Sequence, residues 1–158
     1  MGAVAKFAAA GKERAKKDLG LLAMMYHHIY VAQIAIQANP QQAVKAFQEA
    51  NGYEGPALII AYCNCIEHGY DLRYGAEQQR LAIESGYWPL YRYNPSITDR
   101  NPLQLDAVEA KIPLSDYLKR ENRFQILLKT QPERAQQLLS RAQEVVRQRV
   151  AFYQKLAQ

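Results

Sequence analysis

The sequence predicts an α/β fold: a partial parallel sheet with flanking helices and a long C-terminal helix. Three observations predict it. Two short runs rich in β-branched residues, "IYVAQIAI" (Ile29–Ile36) and "PALIIAY" (Pro56–Tyr62), are apolar nearly throughout, as strands buried on both faces are. Between them "NPQQAVKAFQEANGY" reads as a helix, so strand, helix and strand make one βαβ unit with a right-handed crossover. The chain then closes with "TQPERAQQLLSRAQEVVRQRVAFYQKLAQ", where apolar residues recur at helical spacing.

Taken in order, Asp18 is the expected N-cap of a short apolar helix in "DLGLLAMMYHH". In the helix after the first strand, Asn39 stands at N-cap, Pro40 at N1 and Gln42 at N3, a capping-box pattern. Ala43, Ala46, Phe47 and Ala50 share one face of it, and Asn51-Gly52 ends it. "GAEQQRLAIESGYW" gives a further helix ending at Ser85-Gly86, and "PLYRYN" a short strand. Pro95–Pro113 is proline-bearing and of mixed polarity, and reads as an extended surface arm. One helix is expected over Ser115–Leu128. In the last helix Thr130 and Glu133 form a capping box, and Ala135, Leu138, Leu139, Ala142, Val145, Val146 and Tyr153 make an apolar stripe suited to packing.

Composition narrows the class. A chain of 158 residues can bury a core of its own, and 49% hydrophobic with 22% charged residues is the balance of a soluble globular protein. No apolar run approaches the roughly eighteen residues of a membrane span. The start, "MGAVAKFAAAGKERAKKD", has no uninterrupted apolar stretch of a secretory leader, and Lys6 breaks the myristoylation pattern. Two cysteines argue against a disulfide framework and for a reducing, cytoplasmic home. The net charge of +5 is uneven: residues 1–114 carry eleven basic and eleven acidic side chains, residues 115–158 nine and four. Such a basic tail is either a solvated helix face or a docking surface for an acidic partner.

Chemistry concentrates in "AYCNCIEHGYD" (Ala61–Asp71), which holds both cysteines, Cys63 and Cys65, and His68. It follows the second strand, and in open parallel sheets ligands collect beyond the carboxyl ends of strands. Three readings are open. As zinc ligands, C-x-C-x2-H supplies only three donors, with closer spacing than structural zinc sites use. As a redox pair, C-x-C lacks the C-x-x-C geometry that lowers one thiol's pKa. As inert thiols, both are small residues of a type commonly buried. His27 and His28 are adjacent and cannot share a helical face. No phosphate loop, zincin helix or nucleophile elbow is present, so local motifs alone assign no reaction.

"MGAVAKFAAAGKERAKKDLGLLAMMY", "GPALIIAYCNCIEHG", "SGYWPLYRYNP" and "NPLQLDA" resemble the C-terminal end of pyruvate:ferredoxin (flavodoxin) oxidoreductase, in order and spacing along nearly the whole chain. The resemblance implies an enzyme that oxidatively decarboxylates pyruvate with coenzyme A to acetyl-CoA and CO2, sending electrons through 4Fe-4S clusters to ferredoxin or flavodoxin. It implies thiamine diphosphate and Mg2+ as cofactors, although the family's binding stretches for them are absent here. Residues 1–94 then form the later part of the thiamine-diphosphate-binding domain and residues 95–158 a C-terminal arm. The chain is a fragment by this reading, inactive alone, whose partner is the remainder of the oxidoreductase polypeptide, in a cytoplasmic homodimer with no nucleic-acid or membrane partner. In the family one cysteine after this strand ligates the 4Fe-4S cluster nearest the thiamine, in a pattern ending A-Y-x-x-C-I. "AYCNCI" puts that role on Cys65 and leaves Cys63 to packing. His27-His28 stand where the family more often has Gly and a polar or aromatic residue. The alternative is a non-enzymatic module that docks a partner through its basic C-terminal helix; a small zinc protein is the third reading.

Overall fold

The computed structural model describes residues 1–158. Ten elements follow one another: α1 (Leu19–Met24), β1 (Tyr30–Ile34), α2 (Pro40–Gly52), β2 (Ala57–Ala61), α3 (Gly75–Glu84), β3 (Leu90–Tyr93), β4 (Leu103–Ala107), α4 (Leu114–Leu118), α5 (Asn122–Thr130) and α6 (Pro132–Leu156). The strands form one mixed sheet in the order β2-β1-β3-β4. The predicted α/β class and βαβ unit are present: β1 and β2 pair in parallel, Tyr30 opposite Ala57 through Ile34 opposite Ala61. The parallel part stops there, because β3 joins β1 and β4 joins β3 antiparallel.

β1 is the central strand, buried at all five positions. Alternation divides it between two cores. Tyr30, Ala32 and Ile34 pack with Ala43 and Ala46 of α2 on one face. Val31 packs with Ala23 and Met24 of α1, Tyr91 of β3 and Tyr153 of α6 on the other. Each such large side chain contributes roughly 1.5–3 kcal/mol by leaving water. β2 was expected to be buried on both faces; it is an edge strand, half-buried at Leu58–Ile60 and exposed at Ala57 and Ala61. A run of apolar residues cannot distinguish a central strand from an edge whose next neighbour lies outside the chain.

Capping explains where the helices begin. Asp18 accepts the Leu21 amide at 3.1 Å, and its other oxygen accepts the Tyr153 hydroxyl at 2.9 Å, so one carboxylate starts α1 and pins the far end of α6. Tyr153 also stacks on Tyr91, ring centroids 5.0 Å apart. Gly20 belongs at this crossing because a Cβ there would run into the Tyr91 hydroxyl. Asn39 caps α2 as predicted, accepting the Gln42 amide at 3.0 Å. The reciprocal half of that capping box does not form: the Asn39 N–H donates to the Ala35 carbonyl at 2.9 Å, and the Gln42 side-chain Nε2 donates to the Gln33 carbonyl at 3.3 Å and to Asp106 at 2.9 Å. Phe47, expected on the buried face of α2, is 51% exposed.

Beneath α2 lies a buried guanidinium. Arg92 of β3, 5% exposed, forks onto both oxygens of Asp106 on β4, at 2.9 and 2.7 Å, and pairs with Glu49 of α2. Tyr30 donates to the second oxygen of Glu49 at 3.0 Å, and Gln42 shares Asp106. Burial is tolerated here because every face of the fork has a partner.

The later half departs more from expectation. The stretch Pro95–Pro113 is no surface arm: its centre is β4, with Leu103 and Val108 buried. The single helix expected over Ser115–Leu128 is two, α4 and α5, separated at a turn where Glu121 is fully buried. The Thr130–Glu133 capping box is absent; α6 starts at Pro132 without a side-chain cap, and the Thr130 hydroxyl donates to the Ile126 carbonyl at 2.9 Å. The apolar stripe of α6 is as predicted, with Leu138, Ala142, Val146 and Tyr153 buried. Its Ala142 and Val146 join Leu81, Ala82, Leu114, Tyr117 and Leu118 in a third core built from helices, while Tyr153 belongs to the core around Val31.

Candidate functional site

Both cysteines lie on the loop that leaves β2, at the carboxyl end of the parallel pair. The Tyr62 amide donates to the Ile34 carbonyl at 2.9 Å, extending the ladder by one step before the chain turns away. Asn64 then ties this loop to the one leaving β1, donating to the Gln37 side chain at 2.5 Å. Gln37 is itself held by Gln79 of α3, which accepts the Gln37 amide at 3.0 Å. Tyr70 donates to Asn64 from the other side at 2.9 Å. Cys65 keeps an extended backbone and heads a short 3-10 turn, Ile66–His68, closed by the His68 amide on the Cys65 carbonyl at 3.0 Å. Gly69 ends the turn in the left-handed region, φ 74°, where a Cβ would also meet that of Asn122 at 2.5 Å.

The two thiols differ. That of Cys63 is exposed and donates to the Asn64 carbonyl at 3.3 Å, so its expected role in packing is not what the fold gives it. That of Cys65 is half-buried and makes no hydrogen bond. Its backbone is fixed on both sides, by Asn64 before it and by the turn after it. A single uncommitted thiol on a fixed backbone is a suitable donor to a thiophilic metal centre. It is one donor only: nowhere do three or more His, Cys, Asp or Glu side chains gather as a set able to hold a metal ion. A four-thiolate cluster, with metal–sulfur bonds of about 2.3 Å, therefore fits this loop only if the other ligands come from outside the chain.

Behind the loop stands Glu121, which falls within the single helix expected over Ser115–Leu128 and was not singled out there. Its carboxylate accepts Gln78 of α3 at 2.9 Å and the Arg123 guanidinium at 2.5 Å, with the Tyr62 hydroxyl at 3.5 Å. His68 faces it with Nδ1 at 3.8 Å. Burial, reinforced by the Arg123 charge, lowers the pKa of His68, which favours the neutral ring. Burial pushes the Tyr62 hydroxyl up, so it stays a protonated donor. The only sequence signal was Asn122, a residue that favours helix starts over helix interiors. His27 and His28 are not brought to this loop. They close the turn after α1, where His28 Nδ1 lies 2.7 Å from the Tyr26 carbonyl and His27 takes φ 60°.

No family model matches the chain. Among characterised proteins, it is 52% identical over 99% of its length to the pyruvate-flavodoxin oxidoreductase of Rhodospirillum rubrum. It is 50% identical, again over 99% of its length, to that of Trichormus variabilis. To the pyruvate:ferredoxin oxidoreductase of Moorella thermoacetica it is 46% identical over 99%. The chain spans 13–14% of the length of these relatives. The chain is thus similar, over nearly its whole length, to one segment of these longer proteins. Its family is that of the pyruvate-flavodoxin and pyruvate:ferredoxin oxidoreductases, to one segment of which the chain corresponds.

Proposed function

We propose that the chain works as one segment of an enzyme that converts pyruvate and coenzyme A into acetyl-CoA and CO2. The reaction releases two electrons and one proton, and the electrons pass through 4Fe-4S clusters to ferredoxin or flavodoxin. Cys65 supplies one thiolate of one cluster, and the remaining three ligands come from elsewhere in the longer polypeptide. The observation that carries this reading is the state of the Cys65 thiol: half-buried, without a hydrogen bond, on a backbone fixed by Asn64 and the Ile66–His68 turn. When bound, such a cluster takes up and passes on electrons singly. The protein's part is to hold the thiolate still and limit water around it, so that little rearrangement accompanies each transfer.

In this reading residues 1–94 are the later part of a thiamine-diphosphate-binding domain, with the residues that hold thiamine diphosphate and Mg2+ lying outside the chain. Residues 95–158 are a C-terminal arm, joined to that domain where β4 adds to β3. The assembled enzyme is a cytoplasmic homodimer. No helix of the chain is long and apolar enough to cross a membrane.

Docking of an acidic partner through the basic C-terminal helix draws less support from the side chains. Arg134 pairs with Glu13 and Arg147 with Glu144, while Arg149 donates to the carbonyls of Gly86 and Tyr87 at 2.9 and 2.6 Å. These cations already have internal partners.

The test is pyruvate- and coenzyme A-dependent reduction of a viologen dye. A full-length polypeptide carrying this segment should reduce the dye, and the 158-residue chain alone should not. Absence of activity from the cluster-loaded full-length protein would overturn the assignment.

A further inference from the structure

Glu121 is the one acidic side chain in the core, 0% exposed. A buried carboxylate is costly, and a well-packed apolar residue of similar size is often as stable or more so. Packing alone therefore does not account for it. Its contacts do. Tyr62 stands three residues before Cys65; its hydroxyl lies 3.0 Å from that of Tyr117 on α4 and donates to Glu121 Oε1 at 3.5 Å. His68 stands three residues after Cys65, with Nδ1 3.8 Å from the same oxygen, beyond hydrogen-bond reach. Asn122, the next residue, donates its amide to the Gly69 carbonyl at 3.2 Å. Gln78 and Arg123 fix the carboxylate itself. The α4–α5 turn thus grips the cysteine loop at both ends, with Cys65 midway between the two grips.

We propose that Glu121 is a positioning residue for Cys65: anchored by Gln78 and Arg123, it fixes the α4–α5 turn against Tyr62 on one side of the thiol, while the next residue's amide holds Gly69 on the other. The break between α4 and α5 is where Glu121 and Asn122 meet the loop. The ligand half of this inference rests on the reading of Cys65 given above; the grip on the loop does not.

Amide hydrogen exchange, chelator-driven iron loss and low-temperature EPR on the full-length polypeptide test it, with Glu121→Gln, Glu121→Asp and Cys65→Ala. In Glu121→Gln the amides of His68 and Gly69, which close the turn, should exchange about tenfold faster while those of β1 stay unchanged; iron should be lost about tenfold faster, a typical effect of removing a residue that supports a metal ligand. Glu121→Asp, which keeps the charge, should lie between Gln and wild type. If the Gln protein does not fold, Tyr62→Phe removes the hydroxyl grip alone and should show the same local pattern, more weakly. Exchange that rises uniformly over the chain, or iron loss at the wild-type rate, would overturn the proposal. The two readings separate in the third variant. Iron retained in Cys65→Ala sinks the ligand assignment, whereas iron lost there with Glu121→Gln at wild-type rates sinks only the role of Glu121.

Discussion

The core holds two charged side chains of opposite sign, Arg92 and Glu121. Arg92 lies in a strand, and its partners Glu49 and Asp106 come from a helix and a neighbouring strand. It joins regular elements to one another. Glu121 lies in a turn, and the groups around it include two side chains of a loop whose only regular structure is two short 3-10 turns. Removing the first should therefore weaken the whole fold, and removing the second should loosen one loop. A buried charge in a sheet and a buried charge behind a loop both carry a desolvation cost, and their consequences differ because what they hold differs.

Arg92→Ala should produce the largest effect. It leaves Glu49 and Asp106 facing each other across a buried space, and breaking such a pair costs about 3–5 kcal/mol. The cost falls toward the lower figure because both carboxylates keep some contact with water. An unfolding free energy from urea titration lowered by less than ~1 kcal/mol would show that the network is peripheral. Glu121→Ala should cost less in global stability, about 1–3 kcal/mol for the donors left unpaired, since Arg123 can turn toward solvent. If the two substitutions destabilise equally and uniformly, the contrast between sheet and loop fails.

His27→Gly should have a smaller effect of opposite sign. His27 sits at φ 60°, a conformation that costs a residue with a Cβ roughly 1–2 kcal/mol and glycine almost nothing. After glycine's greater entropy loss, a net gain of about 0.5–1 kcal/mol is expected in thermal or urea unfolding. A loss of stability would mean that the contact of His28 with the Tyr26 carbonyl depends on the His27 side chain.

How much of this was legible in the sequence follows from how local each signal is. Asp18 and Asn39 were read correctly as caps because an N-cap is decided within four residues. The stripe on α6 was read because helical spacing repeats over many turns. β4 was missed because its neighbours in sequence are prolines and polar residues, while what makes it a strand is pairing with β3. The site divides the same way. The cysteine loop was visible as "AYCNCI" after an apolar run, and Cys65 was singled out there by resemblance. Glu121 was not visible, because its partners Gln78, Tyr62 and His68 lie 43, 59 and 53 positions away and only the fold brings them together.

The central claim concerns which thiol matters, and paired substitutions test it most directly. In the full-length polypeptide, Cys63→Ala removes an exposed group whose only hydrogen bond is to a neighbouring carbonyl, so stability should change by less than ~0.5 kcal/mol and the cluster signals should be unchanged. Cys65→Ala should lower the iron content and abolish or alter the EPR signal of one cluster, with loss of dye reduction, because three thiolates leave one iron short of a ligand. Iron and EPR signals lost in Cys63→Ala but kept in Cys65→Ala would contradict the account.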